Sequence, residues 1–289
     1  MKYLVALFLM ISYTYAQKTI VYDKKNNLAF DIYYPKNYKE NQTYNVFAWV
    51  HGGGFSGGTR ADKEEIERMK DAQERGFVAV SISYRLLANS SAGFGCDLPK
   101  QEKLMIFKEA SFDVLTALNF IQNNSKELKF SINKLILGGS SAGAETILNA
   151  YYLRDLWYGN QFNQVKIDGL VSYAGAIVDN RYVTKSSVLP TVYVHGLSDD
   201  VVPAYNAPHR SCLDNQPGFF PLNGSATLED LNRKYSQASF AIFSNSGKHE
   251  WSGLRKQYLD EVFNFINQSI IGNKKVNNRI IVDYKNIST

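Results

Sequence analysis

The feature that most constrains the fold is the alternation of short apolar strands with helical segments along the chain. Strands are predicted at Lys18–Tyr22, Leu28–Tyr34, Tyr44–Val50, Phe77–Ser83, Lys134–Leu137, Ile167–Tyr173, Thr191–Val194 and Phe240–Phe243. Helices are predicted at Lys63–Glu74 and Glu102–Asn123, from Gly143 to about Tyr152, and at Lys256–Ile270. Strands separated by helices indicate βαβ units, and therefore an α/β protein with a mostly parallel, doubly wound sheet. The first two strands flank a Lys-Lys-Asn-Asn turn, which predicts an antiparallel hairpin at the start of the fold.

Composition favours one folded domain. The chain has 289 residues, of which 45% are hydrophobic and 20% charged, and this balance argues against disorder. Because the sequence shows no clear linker, internal repeat or low-complexity stretch, we predict a single domain over residues 17–272. Residues 273–289 form a polar tail with one strand-like island, Arg279–Tyr284, which the sequence pattern does not place.

Charge and residue counts exclude several classes of function. The net charge of +5 is scattered, without a Lys- or Arg-rich run, so we expect no nucleic-acid partner. Four His and two Cys leave little material for a dedicated metal site. No H-E-x-x-H motif occurs either, which argues against a zinc deacetylase. We therefore expect no metal and no other cofactor. The sequence does not predict the oligomeric state.

The first sixteen residues have the layout of a secretory signal peptide. Met1-Lys2 supplies a positive start, Tyr3–Ile11 is nearly all apolar, and a polar exit ends at Ala16. The apolar run is too short to span a bilayer stably, and no later stretch is long and apolar enough. The alternative is a buried N-terminal strand. We predict cleavage after Ala16 and a secreted or periplasmic protein with no membrane span.

Export changes how the two cysteines are interpreted. In an oxidising compartment Cys96 and Cys212 can form a disulfide, although the sequence leaves their distance open. Glycosylation is relevant only in a host that performs it. The Asn-x-Ser/Thr sequons begin at Asn41, Asn89, Asn123, Asn223, Asn267 and Asn286.

A G-x-S-x-G motif, Gly139–Gly143, stands between a predicted strand and a predicted helix. Small residues let the backbone bend sharply and raise the Ser141 hydroxyl on the turn, where a substrate can approach it. The helix dipole then favours negative charge near Ser141. Such turns also arise by chance, but the strand–turn–helix setting favours a nucleophile.

A glycine loop, His51–Phe55, directly follows the strand Tyr44–Val50. Acyl transfer places negative charge on a carbonyl oxygen, and bare backbone amides are suitable donors for that charge. The expected donors are the amides of Gly53, Gly54 and Ala142. An ordinary glycine turn or a phosphate loop is the alternative, but neither nucleotide-loop pattern is present.

A serine nucleophile needs an imidazole base and a carboxylate that orients it. His249 lies between the strand Phe240–Phe243 and the last helix, at the edge where open α/β sheets build their sites. Asp199 is the predicted acid, with its neighbour Asp200 in reserve. His195 ends a strand, and we expect it to cap the following turn.

The motifs taken together resemble the HGGGF carboxylesterases, a group of α/β-hydrolases related to hormone-sensitive-lipase-like and bacterial esterases. The resemblance extends from about Leu28 to Ile270, and the order Ser141, Asp199, His249 is that of α/β-hydrolases. It implies a serine esterase with an α/β-hydrolase fold, Ser141 as nucleophile, His249 as base, Asp199 as acid and Gly53, Gly54 and Ala142 as the oxyanion hole. Glu145 departs from the family pattern, because a small residue is commoner there.

The substrate is less constrained than the chemistry. Loops at Leu86–Lys103 and Pro203–Arg233 are long enough to border a pocket. Aromatic candidates for the pocket wall, each of which can equally pack in the core, are Trp157, Phe219, Phe220 and Trp251. No large apolar insertion indicates a lipase lid, so we expect short-chain or carbohydrate-linked acetyl or feruloyl esters. The alternatives are a serine peptidase and a catalytically silent binding protein of the same fold.

Overall fold

The structure is a computed structural model that describes residues 17–87, 93–253 and 255–283. The predicted signal peptide and the sequons at Asn89 and Asn286 lie outside the described residues. The strands are β1 (Lys18–Asp23), β2 (Leu28–Tyr33), β3 (Gln42–Val50), β4 (Val78–Ile82), β5 (Phe130–Ser140), β6 (Gly169–Tyr173), β7 (Ala176–Ile177), β8 (Thr191–Gly196), β9 (Asn206–Pro208), β10 (Pro221–Gly224), β11 (Ser239–Ser244) and β12 (Asn277–Val282).

α-Helices lie in five of the connections between these strands. They are α1 (Lys63–Glu74), α2 (Lys100–Asn123), α3 (Ala142–Tyr152), α4 (Arg154–Tyr158), α5 (Ser225–Lys234) and α6 (Leu259–Phe265), which continues into a wider π-helical turn at Ile266–Ile271. Short 3₁₀ turns occur at Gly159–Phe162, Asn180–Tyr182, His209–Ser211, His249–Ser252 and Lys256–Tyr258.

The main sheet has the strand order β1-β2-β4-β3-β5-β6-β8-β11-β12. Strands β1 and β2 are antiparallel, and β2 is antiparallel to β4. From β4 to β12 every neighbouring pair is parallel. The predicted opening hairpin and mostly parallel sheet are therefore confirmed.

Apolar side chains cover both faces of the sheet, as a doubly wound arrangement requires. On one face Ala48 of β3 belongs to the same cluster as Leu118 of α2 and Ile147 of α3. On the other face Trp49, the next residue along, packs in a cluster with Met69 of α1 and Phe263 of α6. Successive strand residues thus enter opposite layers, which explains why β3 is apolar without interruption at its carboxyl end.

Two segments are more ordered than the sequence pattern indicated. The C-terminal segment predicted as a tail contributes β12, which pairs in parallel with β11 at the edge of the sheet. The region Pro203–Arg233, predicted as a long loop, contains β9, β10 and most of α5. β10 pairs with β7 and β9 in a small antiparallel sheet. Three strands of two to four residues give too short a pattern to recognise in sequence, which is why they were missed.

Cys96 and Cys212 are joined by a disulfide, with Cα atoms 5.4 Å apart and a sequence separation of 116 residues. Cys96 precedes α2, and Cys212 follows the turn His209–Ser211. The bond therefore holds two long connections against each other.

Removing the disulfide should destabilise the fold because a long closed loop limits the entropy of the unfolded chain. For the double substitution Cys96→Ala and Cys212→Ala we expect the free energy of unfolding to fall by about 2–5 kcal/mol, measured by urea denaturation. A reducing agent should shift the wild-type midpoint toward that of the double variant and leave the double variant unchanged. Equal midpoints for oxidised wild type and double variant would contradict this expectation.

Candidate active site

Ser141 occupies a strained turn between β5 and α3. Its backbone has φ 50° and ψ −122°, a conformation that costs energy in a residue with a side chain and persists only where the surroundings impose it. The Ser141 N–H donates to the carbonyl of Tyr173 at 2.8 Å. A Cβ on Gly143 would lie 2.1 Å from the carbonyl oxygen of Val50, so only glycine fits there. Neighbouring strand ends therefore hold the turn from both sides.

The three side chains predicted as a triad form one chain of hydrogen bonds. Ser141 Oγ lies 2.8 Å from His249 Nε2, and His249 Nδ1 lies 2.8 Å from Asp199 Oδ2. Since a carboxylate only accepts, Nδ1 carries the proton, and Nε2 is left to accept from the Ser141 hydroxyl. The loops after β5, β8 and β11 supply these residues at the carboxyl edge of the parallel sheet.

Asp199 is buried and fully hydrogen-bonded. Its Oδ1 accepts from the backbone N–H groups of Val201 at 2.8 Å and Val202 at 3.0 Å. Burial alone would raise the pKa of Asp199, but hydrogen bonds from His195 and His249 outweigh it and hold the pKa below the usual range. Because the folded pKa lies below the unfolded value of about 3.9, the carboxylate stabilises the fold above that pH. This contribution disappears only as the pH falls through the lowered value.

Of two residues close to Asp199 in the sequence, His195 contacts its carboxylate and Asp200 pairs with a lysine instead. Asp200, the reserve candidate, is exposed and pairs with Lys248 Nζ at 3.1 Å, whereas His249 Nδ1 pairs with Asp199. His195 is fully buried, and its Nε2 lies 3.0 Å from the Val202 carbonyl and 3.2 Å from Asp199 Oδ2. His195 thus spans the turn, as expected, and it also contacts Asp199, which sequence reasoning missed. The position of His195 at a strand end, four residues before Asp199, could have indicated this contact.

The glycine loop faces the same cleft. Gly53 has φ 108°, and a Cβ there would lie 2.1 Å from the Gly57 carbonyl oxygen. His51 Nδ1–H donates to the Gly52 carbonyl at 2.7 Å. Tyr84 stacks on the His51 ring, and burial lowers the pKa of His51, which keeps the ring neutral. A rigid buried ring therefore fixes the start of the loop.

The donors predicted for an oxyanion hole are not used elsewhere. Among the described residues, no group accepts a hydrogen bond from the amides of Gly53 or Gly54. Ala142 is the first residue of α3, so its amide has no partner within the helix. Donors of this kind can bind an oxygen that acquires negative charge.

These groups line a cleft of about 540 Å³. Its other lining residues include Asp62, Glu64, Glu65, Val201 and Arg210. None of the four aromatic candidates lines it within the described ranges, and Trp251 is fully buried in the core. Across the same ranges, no group of three or more His, Cys, Asp or Glu side chains is arranged to hold a metal ion.

Comparison with known proteins adds to this geometry. A family model named BD-FAE matches residues 30–155, which include the glycine loop and the Ser141 turn. A probable N-octanoylanthranilate hydrolase AqdA2 of Rhodococcus erythropolis is 30% identical over 103 residues, 36% of this chain and 21% of that protein. The match thus spans about a fifth of the length of that relative.

Solved structures match over most of the chain. Esterase 2 of Thermogutta terrifontis phosphorylated by paraoxon superposes with a TM-score of 0.65 at 15% identity, covering 87% of this chain and 94% of that one. The same esterase with propionate bound gives 0.64 at 15% identity, covering 89% and 95%. The chain has the α/β-hydrolase fold. This fold, inferred from the motifs in the sequence, is confirmed.

The site geometry predicts that substitutions of two neighbouring carboxylates, Asp199 and Asp200, have very different effects on the reactivity of Ser141. Asp199→Asn would present the wrong partner to His249, so we expect Ser141 to react with a fluorophosphonate about a thousandfold more slowly. Asp200→Asn, a matched change at an exposed site, should leave the rate within about twofold. The measurement is the rate of covalent labelling at saturating probe. Equal losses in both variants would refute the assignment of Asp199.

Proposed function

We propose that this protein is an exported serine hydrolase of carboxylic esters. The observation that carries the proposal is the chain of hydrogen bonds from Ser141 through His249 to Asp199, which opens on a cleft beside the glycine loop. The BD-FAE match covers the nucleophile turn, and the structural neighbours named above are esterases, which supports the same activity.

The proposed mechanism has two halves. In the first, His249 Nε2 takes the hydroxyl proton while Ser141 Oγ bonds to the ester carbonyl carbon, and the amides of Gly53, Gly54 and Ala142 stabilise the resulting oxyanion. The tetrahedral intermediate collapses, the bond to the alcohol oxygen breaks, and the imidazolium protonates the leaving alcohol. In the second half, water attacks the acyl-enzyme with His249 again as base, and the acid is released.

We propose short-chain or carbohydrate-linked acetyl and feruloyl esters as the substrate class. The cleft is lined by glycines, serines and charged side chains rather than by a large apolar surface, which supports a small or polar substrate over a long acyl chain. Among the described residues, no helix is long and apolar enough to span a bilayer. The esterase from Thermogutta terrifontis has been solved with propionate and with butyrate bound.

Ser141→Ala should abolish turnover because the acyl-enzyme can no longer form. We expect kcat to fall by at least about three orders of magnitude on nitrophenyl esters, measured over a panel of rising acyl length together with acetyl- and feruloyl-sugars. The thermal unfolding midpoint serves as the check that the variant is folded. Near wild-type hydrolysis by Ser141→Ala would refute the nucleophile.

The same panel separates the alternatives. The named substrate of the Rhodococcus relative is an amide, so matched nitroanilides belong in the panel. Preference for the anilides would favour a peptidase or amidase. Absence of turnover on every substrate, together with no fluorophosphonate label, would favour a silent binding protein.

The export part of the proposal has its own test. In a secretory host the mature chain should begin at Gln17, because a signal peptidase cleaves after the small residue Ala16. N-terminal sequencing of protein from the medium measures this. A variant lacking residues 2–16 should remain inside the cell. Retention of residues 1–16 in the secreted protein would contradict the predicted cleavage.

A further inference from the structure

One charged residue in the cleft has no role in the proposed reaction. Arg210 lines the cleft together with Ser141 and His249, and no lysine or second arginine appears among the described lining residues. A Cβ built on Gly54 would lie 3.0 Å from Arg210 Nη2, so the guanidinium stands next to the proposed oxyanion hole. A fixed positive charge therefore adjoins the place where an ester carbonyl would sit.

The segment carrying Arg210 is held on several sides. Arg210 N–H donates to the Val201 carbonyl at 2.7 Å, and Ser211 Oγ donates to the Asp200 carbonyl at 3.1 Å. The next residue, Cys212, is bonded to Cys96. Arg210 itself has φ 56°, a left-handed conformation that these bonds impose. The backbone from which this side chain extends is thus fixed in advance of binding, which reduces the entropy that binding would otherwise cost.

Arg210 has no salt-bridge partner among the described residues. Its Nε is buried without a hydrogen-bond partner, and no carboxylate lies within 4.0 Å of the guanidinium. Glu145, the acidic group that interacts with Arg210 electrostatically, contacts a histidine instead. Glu145 Oε1 lies 3.4 Å from His209 Nε2. Burial raises the pKa of Glu145 well above its usual value, although the charge of Arg210 opposes this rise, and burial lowers the pKa of His209.

The carboxylates that line the cleft have partners of their own. Asp62 accepts from the Thr59 N–H at 2.7 Å. Glu64 and Glu65 contact Arg68 at 3.2 and 3.4 Å. The carboxylates named here are thus paired with other groups, and the guanidinium of Arg210 has no salt-bridge partner among the described residues. A positive group in this position favours a ligand that brings a negative charge and acceptor oxygens.

We propose that Arg210 binds a carboxylate on the substrate, so that the preferred esters carry a carboxylate a few bonds from the scissile carbonyl. This inference rests on the proposed ester hydrolysis and narrows its substrate class. A guanidinium presents paired N–H donors that match both oxygens of a carboxylate, and such charge-assisted bonds are among the strongest available to a protein. The anion can belong to the acyl part or to the alcohol part of the ester.

Two pairs of esters with matched shapes distinguish these sources. Monoethyl succinate carries the anion in the acyl part, and ethyl isohexanoate replaces its carboxylate by an isopropyl group of similar shape. Meta-acetoxybenzoate carries the anion in the alcohol part, and meta-acetoxybenzamide is its neutral partner. For each pair the measured quantity is the ratio of kcat/KM for the anionic ester to that for the neutral one.

We expect at least one ratio to exceed one in the wild type and to fall by roughly 10- to 100-fold in Arg210→Gln. Arg210→Lys should retain part of the ratio because it keeps the charge but not the paired donors. Added salt should also lower the wild-type ratio. Arg181→Gln is the matched control, since Arg181 is 84% exposed, pairs with Asp179 and lies outside the cleft.

A binding measurement keeps this inference separate from the proposed activity. In a Ser141→Ala background, succinate and meta-hydroxybenzoate are titrated calorimetrically with Arg210 present and with Arg210→Gln. We expect the dissociation constant of at least one anion to rise by tenfold or more. If binding depends on Arg210 but the wild type hydrolyses no ester, the proposed function fails and the anion site stands.

Other outcomes would overturn the inference. Equal losses on the charged and neutral esters in Arg210→Gln would indicate a contribution to the oxyanion or to folding instead. The proposed carboxylate site would also be refuted if the wild type showed kcat/KM ratios near one and Arg210→Gln left anion binding unchanged. Ester hydrolysis itself would still stand in that case. The thermal unfolding midpoint is compared across all variants, and Arg210→Lys provides the test if Arg210→Gln does not fold.

Discussion

The contact between the start of α3 and the end of β3 is the constraint on which the candidate site depends. Gly143 lies against the carbonyl of Val50 so closely that a single Cβ would overlap it. His51 and the glycine loop follow Val50 directly along the chain. Since the Ser141 turn and the glycine loop meet at this contact, Ser141, Gly53 and Gly54 line the same cleft.

The positions of His249 and Asp199, the proposed base and acid, depend on a second close approach, between the loops that follow β8 and β11. These strands are neighbours and run in parallel. Leu197 N–H donates to the Ser244 carbonyl at 2.8 Å, and Ser198 N–H donates to the Gly247 carbonyl at 3.0 Å. The two loops are therefore joined by their backbones immediately before Asp199 and His249. This backbone pairing leaves little freedom in the separation of Asp199 and His249. It therefore supports the distance of 2.8 Å between His249 Nδ1 and Asp199 Oδ2.

Two ionisable side chains near Ser141, those of Glu145 and Lys103, are buried, which is uncommon in a protein interior. Glu145 is fully buried one turn after Ser141, where small residues are commoner in the group that the motifs resemble. Lys103 is also buried and donates to the Gly218 carbonyl at 2.7 Å, and its pKa is lowered to about 8 by burial and then by the charge of Arg210. Glu145 contacts His209 and Lys103 contacts Cys212, so these two side chains and the disulfide support the segment that carries Arg210.

The sequence by itself determined most strands of the main sheet, helix α1 and the order of the candidate site residues along the chain. Helix α1 is found with the predicted bounds, because charged and apolar residues alternate there with helical spacing, and the predicted strands β3, β4, β6, β8 and β11 are found within a few residues. Ser141, Asp199 and His249 could be chosen because local motifs at strand ends select them.

The tertiary structure decided the contacts between segments that are distant along the chain. It placed Asp199 rather than Asp200 beside His249, brought Cys96 to Cys212, paired β12 with β11, and set Arg210 next to the glycine loop. Periodicity records which face of an element is buried, but it carries no information on which distant loop lies opposite, and that is why these contacts could not be predicted from the sequence.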